Sequence, residues 1–416
     1  MKILHAADLH IDSPLRGLAS YEGAPVDEIR GATRRAVQNL VDAAVSNSVD
    51  LVVIAGDIFD GEWKDYSTGL FWVKQLARLR DEEIPVVIVA GNHDAGSEIT
   101  KRLTLPPNVT RLASSSPQTR RFDDLDLAVI GQSYAKKIVN DDLAARFPKP
   151  DHGLFNIGLL HTSLDGRPGH ATYAPTSVEV LRGLGYQYWA LGHVHQREVV
   201  SQEPWIVFPG NLQGRHIRET GPKGASLVTI EQGEVESVED LELDVVRWAN
   251  CFIEVKDSHT LGEVLTQVQK GLEIAVEAAQ GRLVAARINL VGRSPIHNDL
   301  WRSSLELDME IRALGTASND LWIEKVKLNT RRTTEVDGGL IEAIRARAKG
   351  IQNDPDEMAL VESLFSDLRS KLPSELSVSD PNDAYNSAPT SSDQLKASLD
   401  SAVDLIAALL SETEGL

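Results

Sequence analysis

Five short clusters of polar residues carry the chemistry of this chain. They are Asp8-Leu9-His10, Gly56-Asp57-Ile58-Phe59-Asp60, Gly91-Asn92-His93-Asp94, His161 and Gly192-His193-Val194-His195. Asp, His and Asn offer oxygen and nitrogen donors that suit Mn²⁺, Fe or Zn²⁺ rather than Mg²⁺ or Ca²⁺ alone. Two cations about 3.5–4 Å apart need a carboxylate that touches both, and Asp57 is the natural bridge. Such a pair binds a phosphodiester, lowers the pKa of a water between the ions and offsets charge developing on the phosphoryl oxygens. A neighbouring imidazole then assists the leaving oxygen, and His93 is available for that work if Asn92 fills the ligand place. In His193-Val194-His195 a spacing of two puts both rings on one side of an extended backbone; a turn would send them to two different ions. Gly56, Gly91 and Gly192 permit a tight turn straight after a strand. Taken singly, an Asp-x-His pair, a Gly-Asp turn or a His-x-His is ordinary. The information lies in finding all five in order, each at the end of an apolar run.

Those runs are the elements that must position the clusters. Strand-like stretches are expected at Ile3–Ala7, Leu51–Ala55, Pro85–Ala90, Leu127–Ile130, Asn156–Leu160 and Tyr186–Leu191. Ala32, Ala36, Val37, Leu40, Val41 and Ala44 recur at helical spacing and predict a helix packed on the sheet. Strands this apolar are buried on both faces, which implies a layered α/β domain over residues 1–245. Ligands in open α/β sheets sit at the carboxyl ends of the strands, so clusters far apart in sequence can converge there. The character changes around Asp244–Cys251. Short strands at Cys251–Val255, Leu283–Leu290 and Trp322–Leu328 predict a smaller α/β domain over 250–330. A helical segment over 350–372 carries Met358, Val361, Leu364, Phe365, Leu368 and Leu372 on one face and stops at Pro373. Residues 373–393, rich in Ser, Pro, Asn and Asp, read as a flexible linker. A last amphipathic helix over 394–412 lines up Leu395, Leu399, Val403, Ile406 and Leu410. That stripe needs a cover, either its own chain or a partner.

The 416 residues are too many for one ordinary domain. No apolar run of about 20 residues exists, so nothing is expected to span a membrane. The N-terminus leads straight into Asp8, so no signal peptide is expected. The single cysteine, Cys251, excludes an internal disulfide and a thiolate metal site. A cytoplasmic protein is the expectation. The net charge of −19 is awkward for a nucleic-acid enzyme, because phosphate contacts come from Lys and Arg. The acid is uneven: Pro373–Leu416 holds eight acidic residues and one lysine. Such a tail repels DNA or mimics it.

Together the five clusters resemble the calcineurin-like metallophosphoesterases, which carry D-x-H, G-D-x-x-D, G-N-H-[DE], H and G-H-x-H. The resemblance covers residues 1–195 without a break and implies a four-layer αββα sandwich. It also implies that Asp8, His10, Asp57 and His195 hold one metal, and that Asp57, Asn92, His161 and His193 hold the other. His93 would be the catalytic imidazole, with Asp94 orienting it. The opening Met1–Leu15, the stretch Pro209–His216 and the smaller domain that follows are similar to the SbcD branch of DNA double-strand-break repair nucleases. The Gly214–Glu219 segment is most similar to its YhaO-type subgroup. That likeness implies a Mn²⁺-dependent exonuclease or endonuclease on DNA with two divalent ions. It further implies a capping domain near 250–330, a partner of the SbcC-like coiled-coil ATPase kind, and the homodimerisation usual in the family. C-terminal helices of that family dock on the partner. The alternative within the superfamily is a small-molecule diesterase acting on cyclic nucleotides or other diesters. A metal-bearing scaffold would have no need of His93. Arg215 and His216 follow a glycine-rich turn near the cluster face and are candidate substrate contacts. Arg30, Arg34, Arg35, Lys101, Arg102, Arg111, Arg120, Arg121, Arg218 and Lys223 are either a phosphate track or solvated surface charge. Trp63 and Tyr66 are candidates for stacking on a base, and His170 and Tyr173 for lining the pocket. His5, His152, His259 and His297 match no ligand motif and are expected to be structural or exposed.

Overall fold

Alternate residues along the apolar runs enter two different cores. In β1 (Lys2–Ala6), Leu4 and Ala6 face one core and Ile3 faces the other. In β2 (Leu51–Ala55), Val52 and Ile54 part from Leu51, Val53 and Ala55 in the same way. In β3 (Val86–Val89), Val86 and Ile88 part from Val87 and Val89. A period of two with both sets buried marks an inner strand covered on both faces. These three and β4 (Val109–Arg111) run parallel, and β11 (Gly224–Glu231) pairs antiparallel with β1. With β12 (Glu234–Glu242) they form a six-stranded sheet ordered β12-β11-β1-β2-β3-β4.

A second six-stranded sheet repeats the pattern. It comprises β5 (Gln118–Phe122), β6 (Leu127–Gly131), β7 (Phe155–His161), β8 (Tyr188–Gly192), β9 (Glu198–Gln202) and β10 (Trp205–Phe208), in the order β5-β6-β7-β8-β10-β9. Leu127, Val129, Ile157, Leu159 and Ala190 share a core with Ile3, Val53 and Val87 of the first sheet, so the sheets pack face to face. The outer face of the first sheet is covered by the helices Ala32–Ser46 and Ser67–Asp81, through Val37, Leu40, Val41, Trp72 and Leu76. The outer face of the second is covered by the helix Val178–Leu184 and by Phe147, Tyr186 and Trp189, whose rings stack. The helix ends on Gly185 at φ 78°, a left-handed stop that glycine adopts without strain. The layers are therefore helix, sheet, sheet, helix.

The structure, a computed structural model, describes residues 1–13, 25–60, 66–96, 103–164, 173–316, 320–333, 339–371 and 392–410. Trp63, Lys101, Arg102, His170 and the linker as far as residue 391 lie outside them. Two compact units emerge, one holding Met1–Pro14 and Asp27–Trp248, the other chiefly Ala249–Leu416. The chain passes from one to the next within β13 (Val246–Glu254).

The second unit is a three-stranded sheet ordered β13-β14-β15, with β14 (Leu283–Ser294) and β15 (Leu321–Arg332) parallel. The helix Leu261–Ala278 starts on a reciprocal cap between Thr260 and Glu263 and buries Val264, Val268 and Leu272 against this sheet. Arg287 and Glu324 form a buried ion pair at 2.7 Å across the two parallel strands. Beyond the sheet lie two helices, Gly339–Asn353, which the sequence reading left largely unassigned, and Pro355–Lys371, where the apolar periodicity from Met358 onward falls. Asp354 caps the second, accepting from the Asp356 and Glu357 amides. Met358 is buried, but Leu364 stands 64% exposed, so the anticipated apolar face is only partly used. The last helix, Ser392–Leu410, packs on His297–Arg302 and Gly339–Asn353 of its own unit, burying Leu395 and Val403. No described helix is long and apolar enough to cross a membrane.

Candidate metal centre

Every cluster is delivered by the carboxyl end of a strand. Asp8 and His10 follow β1, Asp57 follows β2, Asn92 follows β3, His161 ends β7 and His193 follows β8. The loops are laced together by backbone hydrogen bonds: Asp8 N to Gly56 O at 3.0 Å, and His10 N to Asp57 O at 3.1 Å. Asp8, His10, Asp57 and His193 all adopt positive φ, at 52°, 44°, 51° and 100°. Each such non-glycine residue costs about 1–3 kcal/mol, and residues of this kind concentrate at functional sites. Two glycines leave the room that is needed. A Cβ on Gly56 would lie 2.7 Å from His161 Nδ1, and one on Gly91 would lie 2.7 Å from the Asp57 amide.

Ligand atoms of Asp8, His10 and His195 lie within 4.8 Å of one another, as do those of Asp8, Asp57 and His161. Asn92 Oδ1 is 3.0 Å from His161 Nε2, and Asp57 Oδ2 is 3.5 Å from the same atom. His161 Nδ1 donates to the Ala55 carbonyl at 2.9 Å. Its Nε2 therefore carries a lone pair, and burial pushes the ring's pKa down to about 3. Three acceptor atoms thus point at one another, an arrangement that a cation satisfies. His10 and His195 approach Nε2 to Nε2 at 3.2 Å, and the Nδ1 of His10 is buried without a hydrogen bond. His195 Nδ1 lies 2.7 Å from Glu219 Oε1 and 3.2 Å from Arg215. The shorter contact assigns the proton to Nδ1, donating to Glu219, and leaves Nε2 free to ligate. Burial lowers His195 and, with the Arg215 charge, lowers His10 well below 6.5, so both are held in the neutral form that binds metal. Burial and the Asp57 charge raise Asp8 well above the carboxylate range, and burial raises Asp57 to about 6. Buried, mutually repelling carboxylates beside neutral imidazoles fit two divalent ions. His193 is also buried. Its amide donates to Asp8, and its ring packs edge-on to His161 and Tyr173, with centroids 5.1 and 5.6 Å away. Tyr173 therefore lines this group.

His93 is one-third exposed beside the ligands, its ring 5.2 Å from that of His10. Its Nδ1 lies 2.9 Å from Asp60 Oδ1, and that bond together with the Asp57 charge raises its pKa. The assignment of Asp94 as the orienting partner of His93 is corrected by this geometry. Asp94 is buried and accepts from the amides of Ile58, Phe59 and Gly91 at 3.2, 3.0 and 3.1 Å. Those three donors bind the β2 and β3 loops together and leave the carboxylate turned to backbone. Burial and the Asp57 charge lift it to about 6. The carboxylate on His93 is Asp60. Burial would raise it, yet hydrogen bonds from His93 and Ser13 and the Arg215 charge bring it down to about 2.

Arg215 is nearly buried, bonded to Glu219 at 2.9 Å and 3.6 Å from Asp60. Its charge serves the rim of the ligand cluster. His216 is half exposed, 3.7 Å from Glu219. Tyr66 is 69% exposed. The sequence left Glu219 unassigned. It takes His195, Arg215 and the Asn211 amide together, and those bonds hold it far below its usual range against the opposing effect of burial. Its only sequence signal is its place four residues after Arg215. Tyr134, whose ring lies 5.5 Å from that of His161, has no sequence signal at all. His5 is structural: buried between the sheets, it contacts the Tyr188 hydroxyl at 2.9 Å and the Leu191 carbonyl at 3.2 Å.

A helix-sheet-sheet-helix sandwich with this set of oxygen and nitrogen donors at its strand ends fits the class of metal-dependent hydrolases. Residues 1–197 match the family model of the calcineurin-like phosphoesterases, and residues 248–331 match that of the middle domain of the metallophosphoesterase YhaO. The uncharacterized metallophosphoesterase YhaO of Bacillus subtilis (strain 168) is 35% identical over 300 residues, 71% of this chain and 72% of that protein. A DNA double-strand break repair protein Mre11 of Sulfolobus acidocaldarius is 22% identical over 401 residues, 90% of this chain and 97% of the relative. Another, of Methanopyrus kandleri, is 24% identical over 313 residues, and the match covers 67% of this chain and 64% of the relative. A crystal structure of a dimetal phosphatase from Danio rerio aligns over 58% of this chain and 97% of its own, at 13% identity and a TM-score of 0.36. The chain belongs to the calcineurin-like metallophosphoesterase family and is a metal-dependent phosphoesterase.

Proposed function

We propose that this chain hydrolyses phosphodiester bonds of DNA with Mn²⁺ and acts with a coiled-coil ATPase of the SbcC kind. The observation that carries the DNA reading is the span of the likeness to the Mre11 protein of Sulfolobus acidocaldarius, which covers 90% of this chain and so includes both units. Divalent ions held by Asp8, His10, Asp57, Asn92, His161, His193 and His195 would polarise the phosphoryl group and supply a nucleophile at neutral pH. Asp8 is common to the two ligand groups, and Asp57 lies in the one with His161. Glu219 fixes the His195 tautomer, and the three amides on Asp94 fix the loops. His93, with Nδ1 on Asp60, keeps its Nε2 proton for the leaving oxygen.

A second reading, a small-molecule diesterase, is favoured by the state of the basic residues. Arg34 is paired with Asp12 and Arg121 with Asp151; Arg215 is paired with Glu219, and Lys223 donates to the His195 carbonyl. Side chains so engaged are not arrayed as a phosphate track. Purified protein with Mn²⁺ should shorten duplex DNA from its ends, and His93→Ala should abolish this while metal stays bound. Turnover of cyclic or model diesters without any action on long DNA would sink the first reading in favour of the second.

A further inference from the structure

The second unit contains a cavity of about 680 Å³ whose charge is opposite to that of the chain. β14, β15 and the helices His297–Arg302, Gly339–Asn353 and Ser392–Leu410 enclose it. Its wall carries six cations: Arg293, Lys327, Arg331, Arg332, Arg345 and Lys349. It has two carboxylates, Asp400 and Asp404, and Arg345 lies 3.4 Å from the second. Among the described residues no carboxylate pairs with Arg293, Arg331 or Lys349. So dense a positive cluster in a protein of net charge −19 is self-repelling unless an anion sits in it. The repulsion registers on one of its members. Burial and then the Arg345 charge lower Arg332.

The inner wall adds donors. His297 is 2% exposed; its Nδ1 meets the Thr330 hydroxyl at 2.9 Å, while its Nε2 is buried without a hydrogen bond. The indole Nε1 of Trp301, also buried, likewise has none. Buried polar atoms left without partners call for an explanation, and a bound ligand is one. The volume is that of a small-molecule site. An imidazole and an indole beside a group of guanidinium and ammonium ions suit a flat ring that carries phosphates.

We propose that this cavity binds a small diphosphate-bearing ligand of the nucleoside diphosphate class, on residues none of which belongs to the metal centre. Asp400 and Asp404 on the helical wall disfavour an extended polyanion laid across it.

The test is calorimetric titration of the full chain with ADP, inorganic pyrophosphate and adenosine, comparing wild type with Arg293→Ala/Arg331→Ala. The expected result is binding of ADP and pyrophosphate but not adenosine, weakened about tenfold or more in the variant. Hydrolysis of a model diester by the variant should be unchanged. Lys349→Ala, on an exposed helical position, repeats the comparison without touching the strands and covers the case in which the double variant misfolds. Equal affinity for ADP in wild type and variants would overturn the proposal. So would a single-stranded oligonucleotide that binds through Arg293 and Arg331 where ADP does not, since the cavity would then be a nucleic-acid surface.

Discussion

Replacing Asp60 by Asn separates proton delivery by His93 from the holding of metal. Asp60 Oδ1 lies 2.9 Å from His93 Nδ1, and Oδ2 accepts the Ser13 hydroxyl at 2.7 Å. Asparagine keeps the volume and one acceptor but removes the charge. A hydrogen bond to an ionised group contributes about 1.5–3 kcal/mol, against about 1 kcal/mol for a neutral one. The difference, about 0.5–2 kcal/mol, corresponds to a roughly 2- to 30-fold loss of rate where the imidazolium donates its proton. The same change removes the largest influence raising the His93 pKa. Less imidazolium is then present at a given pH, and the alkaline limb of kcat moves to lower pH. The assay compares a diester with a poor alkoxide leaving group against one with an activated nitrophenolate, which departs without a proton. Loss should fall on the first substrate and spare the second, with Mn²⁺ content unchanged. An equal loss on both, or a fall in bound metal, would refute the reasoning. Asp94→Asn is the contrast. It leaves one oxygen where three backbone amides now share two and turns an amide NH2 against the rest, so activity on both substrates and metal content should fall together.

Three further outcomes follow from the same geometry. Burial lowers the His5 imidazole from 6.5 to about 3, so the unfolded chain takes up a proton that the fold refuses. Stability therefore falls as pH drops from about 6.5 towards 3, by about 1.4 kcal/mol per unit and about 2 kcal/mol by pH 5. His5→Gln should flatten that fall, read as urea midpoints at about pH 7 and about pH 5, and parallel losses in both proteins would exclude it. Gly91→Ala places a Cβ 2.9 Å from the Asp57 carboxyl carbon and should weaken Mn²⁺ binding by about 10- to 100-fold in an equilibrium titration; a fully metallated, active variant would contradict it. Glu219→Gln should likewise cost about 10- to 100-fold in Mn²⁺ affinity, because His195 loses the carboxylate that fixes its tautomer. An unchanged isotherm would show that Arg215 alone suffices.

The inner sheets were legible because their strands are buried on both faces. Runs such as Leu51–Ala55 have a composition that almost no other environment tolerates. Edge and hairpin strands were not. β12 alternates exposed and half-buried residues, and β5 reads Gln-Thr-Arg-Arg-Phe, so their pairing comes from neighbours rather than from their own composition. The helix Pro355–Lys371 starts where Pro355 and the Asp354 cap set it, whereas Gly339–Asn353 before it went largely unassigned. The last helix carried its stripe in the open, but nothing in a stripe says what covers it.

The same contrast governs the metal centre. Residues that would touch an ion must be Asp, Asn or His and must follow directly on a strand, so type and position are both written locally. Residues that support them answer only to distance. Asp60 and Asp94 lie in neighbouring motifs and are chemically alike, yet Asp94 sits under three amides at the base of a four-residue helix while Asp60 faces His93 across the loop. Sequence order favours Asp94 because it adjoins His93. The helical turn defeats that inference, because neighbours on a helix point about 100° apart and cannot share a partner. Glu219 makes the point at longer range. It is 24 residues from the histidine it orients, and only the fold of the loop after β10 brings the two together. What the chain states plainly is which atoms would bind metal; which atoms hold those in their working protonation state emerges only when the strands have placed them.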